Sequence, residues 1–418
     1  MYLLLNSSVQ ETNMINPNDN TEWRLSADKP EGWEKNVTPH DPNKYFIVSS
    51  DTHLVHPKTL FLDKLDKKWQ HLLPRFEVRD GKTYVLMDGY EPHRIFTPEF
   101  EGDDLARHLA GGTAGIHGEE HVLGWDRIRE QEDDGVDAEV MFSNALNIWS
   151  SRDNEFVQAQ IEVWNDWAWE TCKEVEHRSR PVAHIIGADV DMAVKEVERV
   201  AKMGYKIVTL PCKPIFGPDN VADINYNLPV FDPLWAAIQD ADLTLTYHIA
   251  TGRDPRVARG NGGAVVNFVC HSLMPTIEPI VNMCASGVFE RFPNLRVAGI
   301  EVDGGWAPWV LAKMDEAYLK HHFWVRPKLK ELPSQYFKNN CFVTFGEDTV
   351  AMDLIEKYGL ENNMMWANDY PHHEGSWPYS EQSIYRTLGD RVSEETRAKV
   401  LGLNAAKCFR FDIPEKYR

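Results

Sequence analysis

The chain has 418 residues, 43% hydrophobic and 26% charged, which suits one large barrel-type domain or two ordinary ones and not a fibrous or disordered chain. Its net charge of −20, with no long Lys/Arg cluster, excludes a nucleic-acid binder that relies on a basic face. No apolar run reaches the ~18 residues of a membrane span, and Met1–Leu5 is too short for a secretory signal. The six cysteines form no C-x-x-C pair and sit mostly in apolar runs, so they read as buried thiols of a cytoplasmic protein.

Residues 1–44 read as a loose arm, because 6–44 are rich in Asn, Asp, Glu, Pro and Ser. The apolar Met1–Leu5 ahead of this arm points to exchange between subunits, and a homodimer is the expected assembly. From Tyr45 the pattern changes. β-rich runs occur at 45–53, 137–146, 181–190, 205–214, 243–252, 295–305, 341–348 and 364–372. Helical stretches separate them at 153–176, 189–203, 229–240, 276–286, 305–321 and 348–358, and 393–410 adds a last helix. The stretch at 189–203 carries both end signals, Asp189 as N-cap and Gly204 as stop. Near-continuous apolar strands between helices predict a parallel sheet covered on both faces. Eight such units predict an α/β fold of the (β/α)₈ barrel type over residues 45–418.

The first unit is interrupted by residues 57–125. Glu77–Gly89 reads as a β-hairpin, and 108–121 is rich in Gly and His. An insertion after a barrel's first strand sits at the C-terminal mouth, so it is expected to be a substrate-covering subdomain.

The C-terminal ends of parallel strands converge on one face, where barrel active sites are built. The first run ends in Asp51, His53 and His56, the fifth in His248, the sixth in Glu301 and the eighth in Asp369, His372 and His373; His271 follows the fifth. The first and eighth strands are neighbours in a closed barrel, so their clusters meet. In D-x-H on a strand, Asp51 and His53 point the same way. Imidazoles with carboxylates suit a divalent metal, and Zn, Mn and Fe all accept this set. Asp51, His53, His248 and Asp369 form the first expected site. His271, Glu301, His56 and His372 are expected to hold a second ion or to act as acid and base. Arg253 and Arg256, with His373, are the candidates for holding an anionic substrate.

Other patterns carry less. His117–His121 fits H-x-x-E-H, but Gly118 inside it and the glycines ahead of it oppose the helix that a zinc peptidase needs. The 258–266 stretch matches neither the P-loop nor the dinucleotide fingerprint and reads as a flexible loop. There is no G-x-S-x-G. Trp164, Trp167 and Trp169 read as core packing on a helix.

The stretches 49–57, 245–252, 286–318, 366–378 and 400–409 together resemble the amidohydrolase-related metal enzymes of the aminocarboxymuconate-semialdehyde decarboxylase type, in a branch with D-x-H on strand one. The resemblance implies a (β/α)₈ barrel with a divalent metal and a hydrolase, hydratase or non-oxidative decarboxylase activity. It implies Asp51, His53, His248 and Asp369 as ligands, and His271 as acid/base or ligand. The better-known decarboxylases have H-x-H on strand one. In the D-x-H branch a Glu usually follows three residues after the His, where this chain has His56. A barrel branch resembling this one is associated with two irons, oxygen activation and hydroxylation of coenzyme-A-linked substrates.

Three functions are therefore expected, in this order. The first is a metal-dependent hydrolase or decarboxylase acting on a small carbonyl or carboxylate substrate, with His271 or Asp369 expected to move the proton. The second is a diiron monooxygenase acting on an acyl-coenzyme A. The third is a non-catalytic barrel, opposed by the stability cost of an unused buried cluster of charged groups.

Overall fold

The computed structural model describes residues 27–89, 91–94, 122–144, 148–214, 225–251, 264–372 and 374–417. The strands in chain order are β1 (Val48–Leu54), β2 (Arg75–Arg79), β3 (Lys82–Leu86), β4 (His93–Arg94), β5 (Ala138–Ser143), β6 (Ser179–Pro181), β7 (Ala183–His184), β8 (Ile207–Leu210), β9 (Thr244–His248), β10 (Arg296–Ile300), β11 (Cys341–Phe345) and β12 (Met364–Trp366). The helices are α1 (Leu60–Lys64), α2 (Gly124–Asp133), α3 (Asn154–Cys172), α4 (Val190–Met203), α5 (Asp232–Asp240), α6 (Ala264–Ala285), α7 (Val288–Arg291), α8 (Ala307–Lys320), α9 (Pro333–Asn340), α10 (Thr349–Tyr358), α11 (Ser380–Leu388), α12 (Glu394–Ala398) and α13 (Asn404–Phe409).

Every β-rich run of the sequence contains a strand, and the third is split by Val182 into β6 and β7. The strands form a three-stranded sheet, β1-β5-β6, and a six-stranded sheet, β12-β11-β10-β9-β8-β7. All pairs in both sheets are parallel. The sheets touch at two seams. At one, the Val182 N–H donates to Met141 O at 3.0 Å. At the other, Thr52 bridges to Tyr370, the His53 N–H donates to Tyr370 O at 2.6 Å, and the Asp369 N–H donates to Asp51 O at 3.1 Å. The first and eighth runs are thus neighbours, as the sequence led us to expect.

The strands are apolar without alternation because both faces are covered. Their side chains still alternate between two cores. On β10, Ala298 and Ile300 join a smaller cluster with Val48, Val140, Phe142 and Phe342, which α13 closes with Ala405 and Phe409. Val297 of the same strand joins the larger cluster, where Val197, Trp235, Ile280 and Ile355 arrive from α4, α5, α6 and α10.

The helix ends follow from their caps. The Asp189 carboxylate accepts from the Met192 N–H at 2.9 Å, and Gly204 closes α4 at φ 120°. Helix α6 is longer than the 276–286 stretch that the sequence suggested. It begins at Ala264 and carries Pro275 and Pro279 internally.

In the insertion, β2 and β3 form the expected hairpin. Asp80 and Gly81 turn it at φ 50° and 71°, both left-handed, as a tight hairpin turn requires. Residues 95–121, with His117–His121, lie outside the described residues. Of the stretch read as a loose arm, 27–44 is described, and its Trp33 and Val37 are buried in the main core. The Trp33 indole N–H donates to Gly389 O at 2.7 Å, which ties this segment to the C-terminal end of α11. Trp164 is fully buried in the core, in keeping with the packing reading. All six cysteines are free; five are buried, but Cys270 is exposed, which departs from the expectation of buried thiols. Among the described residues no helix is long and apolar enough to cross a membrane.

Candidate metal centre

Asp51, His53, His248 and Glu301 each offer a ligand atom within 4.8 Å of the others. Two further groups overlap this one: His53, Asp369 and His372, and Glu301, Asp369 and Glu374. All belong to the C-terminal ends of β1, β9 and β10 or to the turn after β12.

The inward aim of Asp51 and His53 depends on an irregularity. Val48 lies in the smaller core cluster, and Leu54 lies in the larger one, on the other face of the sheet. Six residues is an even number, so an undisturbed strand would put both on one face. The β1–β5 register shifts between Ser49 and Thr52. That bulge changes the phase and turns Asp51 and His53 inward. It is held by Asn368. The Ser49 hydroxyl donates to Asn368 Oδ1 at 2.8 Å and accepts from the Asn368 N–H at 3.0 Å. Asn368 Nδ2 donates in turn to Gln131 Oε1 at 3.0 Å and Asp134 Oδ2 at 3.3 Å. Helix α2 and the turn after it therefore fix β1 and the β12 end together.

The two inward carboxylates opposite β1 sit on strained backbone. Glu301 has φ 57° and Asp369 φ 53°, a region costing non-glycine residues about 1–3 kcal/mol each. The Glu301 N–H is anchored by donating to Thr344 Oγ1 at 2.7 Å.

Distances within the cluster are short. His248 Nε2 is 3.4 Å from Asp51 Oδ1 and 3.7 Å from Glu301 Oε2. His53 Nε2 is 3.8 Å from Asp51 Oδ1 and 3.1 Å from Asp369 Oδ1. Asp369 also pairs with His372 Nδ1 at 3.1 Å, and the His372 ring stacks on His53 with centroids 3.9 Å apart. Yet both Asp51 carboxylate oxygens, both His53 ring nitrogens, His248 Nε2 and Asp369 Oδ1 are buried without a hydrogen bond. Even the 3.1 Å contact between His53 and Asp369 lacks hydrogen-bond angles. Each such orphan costs about 1–3 kcal/mol unless something else satisfies it. His248 Nδ1 lies 2.9 Å from Ile249 O, so its proton belongs there and the Nε2 lone pair faces the centre. A lone pair, open carboxylate oxygens and a buried setting are what a divalent cation requires. The residues fit one.

The cluster's own charges set its protonation. Burial works against a proton on His248, but Asp51 outweighs it and raises the pKa to about 9. Burial likewise opposes charge on His372, and Asp369 outweighs it, again to about 9. Burial pushes Asp369 up, yet the hydrogen bond from His372 and the closeness of His53 hold it below the usual carboxylate range. Burial and the neighbouring His372 lower His53. Burial, then Asp369, push Glu301 well above the ordinary carboxylate value. Such a cluster gathers protons that a bound cation displaces.

The remaining candidates fall elsewhere. His56 packs its ring against Phe61 and Trp164, with Nδ1 2.9 Å from Pro57 O, and belongs to none of the three groups. His271 lies on α6 and lines a groove with Met274 and Trp309 of α8; it too is in none of them. Arg253, Arg256 and His373 lie outside the described residues. Glu374 joins the cluster although it was not among the expected ligands. The sequence reading also missed Arg127, which is buried behind β1 on Glu139. In sequence it belongs to a charged run that reads as a solvated helix face.

Comparisons with known proteins identify the family. The amidohydrolase family model matches residues 70–411, which leaves β1 just ahead of the match. A gamma-resorcylate decarboxylase from Rhodococcus jostii (strain RHA1) is 24% identical over 306 residues, covering 68% of this chain and 87% of that protein. The crystal structure of a 5-carboxyvanillate decarboxylase from Sphingomonas paucimobilis is similar with a TM-score of 0.61 at 22% identity, covering 88% of this chain and all of that one. A dihydroxybenzoic acid decarboxylase from Polaromonas sp. JS666, solved with manganese and the inhibitor 2-nitroresorcinol, has a TM-score of 0.58 at 15% identity and covers 89% of this chain and 99% of that one. At these identities the solved structures establish a shared fold. With four-fifths of its length matched by the family model, the chain belongs to the amidohydrolase family.

Proposed function

We propose that this protein is a metal-dependent, non-oxidative decarboxylase of aromatic carboxylates, built on a closed (β/α)₈ barrel. The observation that carries the reading is the set of buried, unpartnered ligand atoms on Asp51, His53, His248 and Asp369 at one end of the parallel strands. The decarboxylases among its relatives supply the reaction class. Manganese is the first ion to test, because a structural neighbour holds it. The overlapping group around His372 and Glu374 leaves one or two ions open. The diiron monooxygenase on an acyl-coenzyme A draws no support from these relatives.

A bound divalent ion supplies fixed positive charge that orients the substrate carboxylate and withdraws electron density from it. The chain's own residues do the rest. Loss of CO₂ leaves the electron pair of the broken C–C bond on the ring carbon, and a proton must arrive there. Glu301, just past the end of β10 with Oε2 3.7 Å from His248 Nε2, is the carboxyl group placed to deliver that proton. Asp369 is held ionised by its two histidines, so it serves as ligand and charge partner and not as the acid. We therefore move the acid role expected of His271 to Glu301. Arg253, Arg256 and His373 remain the candidates for the far end of the substrate.

The test uses manganese-loaded protein with a panel of ortho-hydroxybenzoates in D₂O. The reading expects CO₂ release without O₂ consumption and one deuterium at the vacated ring carbon. O₂ uptake, or release of product with the carboxylate retained, would contradict it.

A further inference from the structure

A large cavity of about 960 Å³ opens past the C-terminal ends of β1 and β5, two of the strands at the mouth where the candidate ligands gather. Its inner wall continues directly from the strands that carry the ligands. The β1–β5 register pairs His53 with Phe142 and Leu54 with Ser143. Asn144, next after Ser143, and His56, next but one after Leu54, both line the cavity. The cavity thus begins just past the C-terminal ends of β1 and β5, three residues after His53 and two after Phe142, whose ring lies 5.0 Å from that of His248.

Its outer wall comes from the insertion. Phe61 of α1, Leu72 and Leu73 after it, and Met87 beyond β3 all face the space, and Phe156 of α3 closes one side. Lys58, His71 and Arg75 are exposed on its rim. The volume is at the top of the range of about 300–1,000 Å³ for pockets that enclose drug-sized ligands. A single-ring acid held at the metal leaves most of this apolar space unfilled.

We propose that the substrate is an aryl carboxylate bearing an extended apolar substituent, and that this cavity takes the substituent. The inference rests on the decarboxylase reading for where the carboxylate goes. The apolar side chains of Phe61, Leu72, Leu73, Met87 and Phe156 match a hydrocarbon chain or second ring. Lys58 and Arg75 on the rim, in a chain of net charge −20, favour the entry of an anion. Each methylene moved from water into such a wall strengthens binding about fourfold.

The experiment measures, by titration calorimetry on manganese-loaded protein, the Kd of 2-hydroxybenzoate and of 4-octyl-2-hydroxybenzoate. The octyl acid is expected to bind about tenfold tighter or more. L72D and M87D, which place a charge in the outer wall, are expected to bring the ratio of the two constants to within about threefold. Two variants on different segments guard against one failing to fold. Equal constants in the wild type, or an unchanged ratio in the folded variants, overturn the proposal. CO₂ release is followed in the same samples. Chain-dependent binding lost in the variants, with no CO₂ from either acid, supports the cavity assignment and overturns the decarboxylase reading. CO₂ from 2-hydroxybenzoate with no gain from the octyl chain does the reverse.

Discussion

Arg127 donates from Nη1 to the main-chain carbonyl of His53 at 2.9 Å, and its Nε and Nη2 grip the Glu139 carboxylate at 2.7 and 2.8 Å. A buried, bidentate ion pair thus braces the backbone of a proposed metal ligand from behind. Ser179 completes Glu139 through a 2.8 Å hydrogen bond. Breaking a buried pair by removing one partner costs about 3–5 kcal/mol, whereas replacing both by apolar residues is often near neutral. Arg127→Met is therefore expected to lower the urea midpoint strongly and to weaken metal binding by about 10–100-fold. The double variant R127M/E139L is expected to recover much of the stability and little of the metal affinity. Recovery of both would mean that Arg127 does not orient His53.

The β1 bulge makes a separate prediction. Ser49→Ala removes the hydroxyl that joins the bulge to Asn368. Metal affinity is expected to fall by about 10–100-fold, as for other groups that orient ligands. The stability loss is expected to be only about 1 kcal/mol, in line with a hydrogen bond. Metal titration and chemical denaturation on one preparation separate the two effects.

Glu301→Gln keeps the shape of the side chain and removes its proton. If Glu301 is the acid, kcat falls by about 10²–10⁴-fold while metal content holds. If it is chiefly a ligand, the metal is lost in step with activity. Elemental analysis of the variant beside its steady-state kinetics decides between them.

Acid stability should respond to His184. This histidine is buried, stacked on Trp149 with centroids 4.5 Å apart, and its Nδ1 has no partner. Burial, then His248 and His56, lower its pKa from 6.5 to about 3. Between those values the unfolded chain takes up a proton that the folded chain refuses. The contribution is fully present above pH 6.5 and is lost as pH falls toward about 3. His184→Phe is expected to lose less stability than wild type over that window, by an amount of the order of a few kcal/mol. Parallel slopes for the two proteins would contradict this.

Much of the architecture was legible because a parallel sheet covered on both faces writes long apolar runs into the chain, and each run does hold a strand. The site was legible where chemistry coincided with a strand end, as at Asp51, His53, His248, Glu301 and Asp369. Local pattern could not say which face D-x-H would present. That depends on the Ser49–Thr52 bulge and on Asn368, more than 300 residues away in the chain. His271 was expected on the loop after the fifth run, but α6 begins at Ala264, earlier than the sequence suggested, and carries it on a helix. Arg127 and Glu139 gave no signal, since a buried ion pair and a solvated one look alike in sequence.

The most direct measurement is the metal content per chain of protein purified without added metal, for the wild type and for Asp51→Asn and His248→Ala. The account predicts one or two divalent ions in the wild type and loss of about tenfold or more in each variant, with the fold retained by circular dichroism. A wild-type protein that holds no metal and takes up none on addition would contradict it.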